Sequence, residues 1–302
     1  MRRLRHMVRK VLVGVDGTPS GRDAVVLARV LATADDADLV LVGAYTDPLL
    51  PFPPGLRRAA HLGGDVERLL LGVRAELAPH ARTRVKADSS PGRALCHAIP
   101  DEHADLLVLG SSRRVPDGRA GVGRTGRQAL HGAGCAVALA AHGVGDALRR
   151  IVVGVDRSPE ADAALALARS LAGASGAQLT AVSVVDDRLP ATMAPAGMAV
   201  ELVHWDELVA THREQTERLL RELTEHEPSL VTELRVGDPA EELAAVAADA
   251  DLLVLGSRRW GPFSRLVVGS TGEELVREAP CSLLLVPRPA EQAASAGAAG
   301  DG

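Results

Sequence analysis

The chain has 302 residues, with 34 Lys and Arg against 39 Asp and Glu, a net charge of −5 and three cysteines. This balance argues against broad electrostatic attachment to nucleic acid, and Tyr45, Phe52, Trp205, Trp260 and Phe263 are too few aromatics to stack bases. An odd, small cysteine count fits a reducing compartment, and no apolar run approaches the ~20 residues needed to span a bilayer, so a protein of the cytoplasm is expected, with neither nucleic acid nor membrane as a partner.

In chain order, residues 1–8 read as a basic leader without a signal-peptide core. Val11-Leu-Val-Gly-Val-Asp16 is a short apolar strand, followed by a helix with Val25, Ala28, Leu31 and Ala32 on one face and a second strand from Leu39 to Tyr45. Ala104-Asp-Leu-Leu-Val-Leu-Gly110 is a fourth strand and Ala136 to Ala140 a fifth, with Cys135 a small buried residue at its start. The sequence then begins again. Ile151-Val-Val-Gly-Val-Asp156 repeats the first strand, and a helix from about Ala161 carries Leu165, Ala168, Leu171 and Ala172. A strand from Leu179 to Val185, a long polar helix from His204 to Glu225 and a strand from Val231 to Val236 come next. A helix with Pro239 in its first turn, a strand from Leu252 to Leu255, a helix near Ser270 and a last strand from Ser282 to Val286 complete the copy, with Cys281 in the place of Cys135.

The repeat is offset by 140 residues between Val11 and Ile151 and by 146 between Ala104 and Ala250. Such a period is too long for a solenoid and marks a duplicated domain of ordinary size. The expected domains are 9–143 and 150–288, with a linker at 144–149 and a disordered Ala/Gly-rich tail at 289–302. Alternation of short apolar strands and helices predicts α/β architecture: two tandem open five-stranded parallel sheets with helices on both faces. The strand order expected in each is 3-2-1-4-5. Ligands in such sheets bind beyond the carboxyl ends of the strands where the winding reverses, which singles out Asp156 and Gly256.

The segment from Gly256 to Thr271 joins the fourth strand to the next helix. Gly256 and Gly269 could let backbone approach a ligand, and Ser270 and Thr271 at a helix start offer hydroxyls and N–H groups to a phosphate. Asp156 could accept from a ribose or help hold a phosphate-bound metal; alternatively it caps a helix and the glycines only turn the chain.

The Val-Gly-Val-Asp start, the Ala-Asp-Leu-Leu-Val-Leu-Gly strand, the Gly-Ser/Thr helix opening and the ending Ala279-Pro-Cys-Ser-Leu-Leu-Leu-Val-Pro287 resemble the universal stress protein family. Both halves share the resemblance, which implies a tandem member. Many members of that family bind ATP through a pattern written G-x2-G-x9-G-S/T, and others bind none. The resemblance implies an adenine-nucleotide site at Asp156, Val184, Gly256, Arg259, Gly269, Ser270 and Thr271, with Arg259 standing where the second glycine belongs and Val184 beside the adenine. It implies a weaker first-copy site at Asp16, Gly110, Arg113, Gly123 and Thr125, where Arg124 replaces the Ser. The cofactor implied is ATP, with or without Mg2+. The last strands, Ala136 to Ala140 and Ser282 to Val286, are the expected surfaces for pairing of the two domains within the chain, and a homodimer is a further option.

Gly121-Val-Gly123-Arg-Thr-Gly126 matches G-x-G-x-x-G but lies some ten residues after its strand, where a dinucleotide fingerprint would follow the strand directly. No Gly-Lys, Gly-x-Ser-x-Gly or His-Glu-x-x-His occurs. His204 and His212 are read as solvated, and neither a metal-ligand set nor a base paired with a nucleophile stands out. Three classes stay open: a nucleotide-binding stress-response module without strong catalysis, a ligand-free interaction scaffold, and a slow ATPase.

Overall fold

The computed structural model describes residues 8–46, 58–188, 199–260, 265–267 and 269–287. Residues 1–7 of the expected leader 1–8 and the whole expected tail 289–302 lie outside the described residues, while Val8 is buried in the core. The first half contains β1 (Lys10–Val15), α1 (Pro19–Asp35), β2 (Asp38–Thr46), α2 (Arg58–Leu77), β3 (Arg82–Asp88), α3 (Pro91–Glu102), β4 (Leu106–Gly110), α4 (Arg124–Gly132) and β5 (Ala136–Ala140). The second contains β6 (Arg150–Gly154), α5 (Pro159–Ser175), β7 (Gln178–Val185), α6 (Ala199–His226), β8 (Val231–Val236) and α7 (Pro239–Val246). It ends with β9 (Leu252–Trp260), β10 (Arg265–Val267), α8 (Ser270–Arg277) and β11 (Ser282–Pro287).

Helix starts follow local chemistry. Thr18 and Ser158 cap α1 and α5 by accepting from the N–H groups of Gly21 and Ala161, each at 3.2 Å, and each cap is followed by proline. Proline has no N–H to leave unsatisfied at a first helical position, and its fixed φ suits the turn. The second helix of the repeat pair accordingly starts at Pro159, two residues before the sequence pattern alone indicates.

The strands lie in the order β3-β2-β1-β4-β5-β11-β9-β6-β7-β8. Within each half every pair on this path is parallel and the order is 3-2-1-4-5. The two halves meet edge to edge: β5 and β11 are antiparallel, with Leu283 opposite Leu139, Leu284 opposite Ala138 and Leu285 opposite Val137. The two last strands therefore pair within one chain. Residues of the expected linker join this body, for Leu148 is buried and Val144 packs against the core.

Strands covered on both faces must be apolar at consecutive positions, which explains why they read as runs and not as alternations. Val11, Val13, Leu106, Val108, Ile151, Val153, Leu252 and Val254 face one core, filled also from α1, α2, α5 and α6. Leu12, Leu107, Leu109, Val152, Leu253 and Leu255 face the other, with α3, α4, α7 and α8. Both cores run across the seam. On the first face α1 packs on α5, and the buried Asp35 carboxylate accepts from Val8 N at 2.6 Å and from Ser170 Oγ across the halves at 3.2 Å.

One expectation is corrected. The segment after Leu255 is not all loop: Gly256 and Ser257 continue the ladder opposite Val286 and Pro287, and Arg258 to Trp260 fold back against Arg265 to Val267 as an antiparallel hairpin. The charged residues disguise a strand that is needed to pair only along its backbone.

Candidate functional site

At the carboxyl ends of the strands in the second half lies a cleft of about 500 Å³. Asp156, Val184, Gly256, Gly269, Ser270 and Thr271 all line it, so the structure brings together six residues read from separate parts of the sequence. Arg259 is placed only by its backbone, in β9 opposite Leu266. Its side chain lies outside the described residues.

Asp156 closes β6 and accepts from Ser158 N at 2.8 Å, bracing the residue that caps α5. It does not cap the helix itself, and its exposed carboxylate remains at the cleft. Gly256 has a specific steric cause. A Cβ there would stand 2.5 Å from the carbonyl carbon and 2.7 Å from the oxygen of Glu160, and 2.8 Å from Ala161 N, so only glycine lets the first turn of α5 lie against β9. Gly269 differs, since a Cβ would meet nothing within 4 Å. It precedes α8 with no side-chain cap, leaving the first N–H groups of that helix without a capping side chain on the side of the cleft.

The β7 side of the cleft is apolar, formed by Val182, Val184, Pro239 and Leu243 over Leu255. Sequence reasoning missed its opposite wall, where α6 contributes His212, Gln215, Thr216 and Leu219. His212 is exposed, as expected, yet borders the cleft. Asp186 was also missed. The Arg188 guanidinium grips it through two bonds, Nε to Oδ1 at 2.9 Å and Nη2 to Oδ2 at 2.8 Å. These bonds hold the Asp186 carboxyl below the usual range against the opposing effect of burial, and the same contact raises the guanidinium. Arg188 also bonds Asp238, whose Oδ1 caps α7 through Ala240 N and Glu241 N. The only sequence signal for this clamp was an Asp following each of two strands. An apolar pocket on one side of β6, a carboxylate at its centre and two helix starts on the other side suit a ligand that joins a flat apolar group to an anion.

The first half keeps the framework, with apolar side chains of α2 lying close over it. Asp16 accepts from the N–H and hydroxyl of Thr18, and Gly110 meets the backbone of Ser20 as Gly256 meets Glu160. Four residues before the buried Leu70 of α2 stands Val66; four before the buried Leu220 of α6 stands Thr216. Val66 overlaps the position of a Cβ on Gly43, and Leu69 Cδ1 would be 3.1 Å from one on Gly17. Apolar side chains of α2 thus close over the ends of β1 and β2. Gly123 and Thr125 flank Arg124 at the start of α4, and Arg113 and Thr125 are exposed. The Gly121 of the G-x-G-x-x-G string is accounted for by the carbonyl of Arg277 in the other half, which a Cβ would overlap.

Among the described residues no helix is long and apolar enough to cross a membrane, and no group of three or more His, Cys, Asp or Glu is placed to hold a metal ion. The chain is 29% identical over 297 residues to a universal stress protein of Mycolicibacterium smegmatis, covering 91% of this chain and 96% of that one. It is 30% identical over 145 residues to a universal stress protein of Thermus aquaticus, covering 46% of this chain and 98% of the relative. A universal stress protein from Archaeoglobus fulgidus superposes with a TM-score of 0.65 at 17% identity, over 95% of this chain and 98% of that structure, a likeness of fold. The universal stress protein family model matches residues 7–140 and again 147–287, and the chain belongs to that family as a tandem member.

Proposed function

We propose that the second half binds an adenine nucleotide, ATP with or without Mg2+, and that this cytoplasmic protein acts in stress response or regulation without strong catalysis. The observation that carries this reading is the single cleft lined by Asp156, Val184, Gly256, Gly269, Ser270 and Thr271. In it, the adenine lies on the Val182 and Val184 side, the ribose hydroxyls donate to Asp156, and the phosphates take the N–H groups and hydroxyls of Ser270 and Thr271. Arg259 supplies a cationic phosphate contact in place of the missing glycine. The first half, with Val66 and Leu69 lying close over its framework, serves as a structural partner, and the two domains are 9–143 and 150–288.

Mass spectrometry of nucleotide released from freshly purified protein, followed by calorimetry with ATP, tests the reading. About one ATP per chain is expected. Asp156→Ala should weaken binding by roughly 10-fold or more, the loss of a hydrogen bond to a charged group, while Asp16→Ala leaves it unchanged. Two equal sites, or loss on Asp16→Ala alone, would reject it. Phosphate release within minutes would favour the slow ATPase, and an empty protein that takes up no ATP the scaffold.

A further inference from the structure

The N-terminal turn of α8 belongs to the second half's cleft, but the C-terminal end of this eight-residue helix is held by the first half. Val122 N donates to Val276 O at 3.0 Å, Ala120 N to Ala279 O at 3.0 Å, and Ala279 N to Ala120 O at 2.7 Å. Arg119 Nη1 donates to Glu278 Oε1 at 2.7 Å. Gly121 sits so close to the Arg277 carbonyl that no side chain fits between them. The equivalent residue of the second half is Val267.

The segment making these contacts is itself fixed. Ser111 Oγ donates to Ala140 O at 2.5 Å and accepts from Gly121 N at 3.0 Å, while Ser112 N donates to Gly121 O at 2.8 Å. His142 N donates to Arg119 O at 3.1 Å. A helix this short has little stability of its own, so its place depends on what it docks against. Here that is α7, β11 and the braced loop.

We infer that the first half's loop Arg119–Val122, the relic of its own glycine loop, is a positioning element for α8 and thereby for the ligand-facing Ser270 and Thr271 of the second half. The inference rests on the proposed nucleotide site for its consequence, though not for its structural content. It gives the first half a task other than binding: its loop sets the second site.

Hydrogen exchange over residues 270–277, measured by mass spectrometry on the full chain, together with ATP calorimetry, tests this. Gly121→Ala pushes a methyl against the Arg277 carbonyl and should speed exchange across α8 while leaving β1, β4 and β6 as protected as before. ATP affinity should fall roughly 5-fold or more, the low end of usual coupling between sites. Arg119→Glu provides a milder variant that keeps the backbone contacts, and Glu278→Arg in that background should restore both readouts. Unchanged exchange over α8 in both Gly121→Ala and Arg119→Glu would overturn the proposal, as would faster exchange with undiminished ATP affinity. If the wild type takes up no ATP, the nucleotide reading falls separately, and exchange over α8 still decides whether the loop orders the helix.

Discussion

Gly256→Ala isolates the steric role of the glycine that ends the central run of β9. The added methyl carbon would lie 2.5, 2.7 and 2.8 Å from three backbone atoms of Glu160 and Ala161. Normal carbon contacts begin near ~3.5 Å, so β9 and the first turn of α5 must separate by about 1 Å. Neither can rotate aside as a side chain would. Overpacking of a close-packed site typically costs about 1–3 kcal/mol, and backbone against backbone belongs in the upper part of that range. For a domain of this size each kcal/mol lowers the melting midpoint by roughly 2–4 °C, giving a fall of roughly 5–10 °C. Gly269→Ala is the matched control. Its methyl group enters open space, and its cost is limited to a poorer helix start, about 1 kcal/mol or less. Calorimetric melting of both variants reads the difference. Equal midpoints for Gly256→Ala and wild type would refute the packing explanation and return that glycine to the ligand.

Glu102 is buried and accepts from Arg84 Nε at 2.5 Å, with Arg82 at 3.4 Å. Burial alone would raise its carboxyl, but the Arg84 hydrogen bond and the positive charges of Arg84, Arg82 and Lys10 hold it below the ordinary value of 4.5. A depressed folded value contributes stability above the ordinary glutamate range, and that contribution disappears as pH falls through the folded value. Glu102→Gln should cost about 1–3 kcal/mol in urea unfolding at neutral pH and almost nothing in strong acid; a difference that grows in acid would contradict the sign. Burial pushes the Cys281 thiol up to about 12, so peptide mapping should find Cys96 alkylated first and Cys135 and Cys281 protected until unfolding; early labelling of Cys281 would count against its burial. Halves expressed as 9–143 and 150–288 expose β5 or β11 and should self-associate or aggregate, and two monomeric halves with full thermal stability would show that the seam contributes little.

The fold was legible because its strands are buried on both faces and read as apolar runs between helical patterns, whereas the caps at Thr18-Pro19 and Ser158-Pro159 were passed over and the second-copy helix was read from about Ala161. The cleft was legible at Gly256, where a Cβ would strike the backbone of α5, and at Asp156 and Gly269, which the family pattern marks although open space surrounds Gly269. It was illegible where a long polar helix supplies the wall. Thr216 shares the inward face of α6 with Leu219, Leu220 and Leu223, but as a polar residue it extends that face without an apolar signal of its own. The hairpin of β9 and β10 was hidden for a related reason, since Arg258 and Arg259 read as loop while their backbone forms a ladder. The bonds from Ala120 and Val122 to the other half are made by main-chain atoms, which leave no side-chain signature beyond the small residue at Gly121.

At the seam, Ala138 faces Leu284, and the flanking pairs Leu139–Leu283 and Val137–Leu285 exchange places about that centre. Residues 138 and 284 are thus equivalent positions of the repeat meeting each other on the local symmetry axis. Two identical chains could offer only alanine against alanine there, leaving a void, or leucine against leucine, crowding the joint. Covalent fusion removes that restriction and lets a small residue receive a large one. The same freedom extends outward: a substitution in a fused chain occurs once, so one half can carry Val66 where its twin keeps Thr216 beside an open cleft.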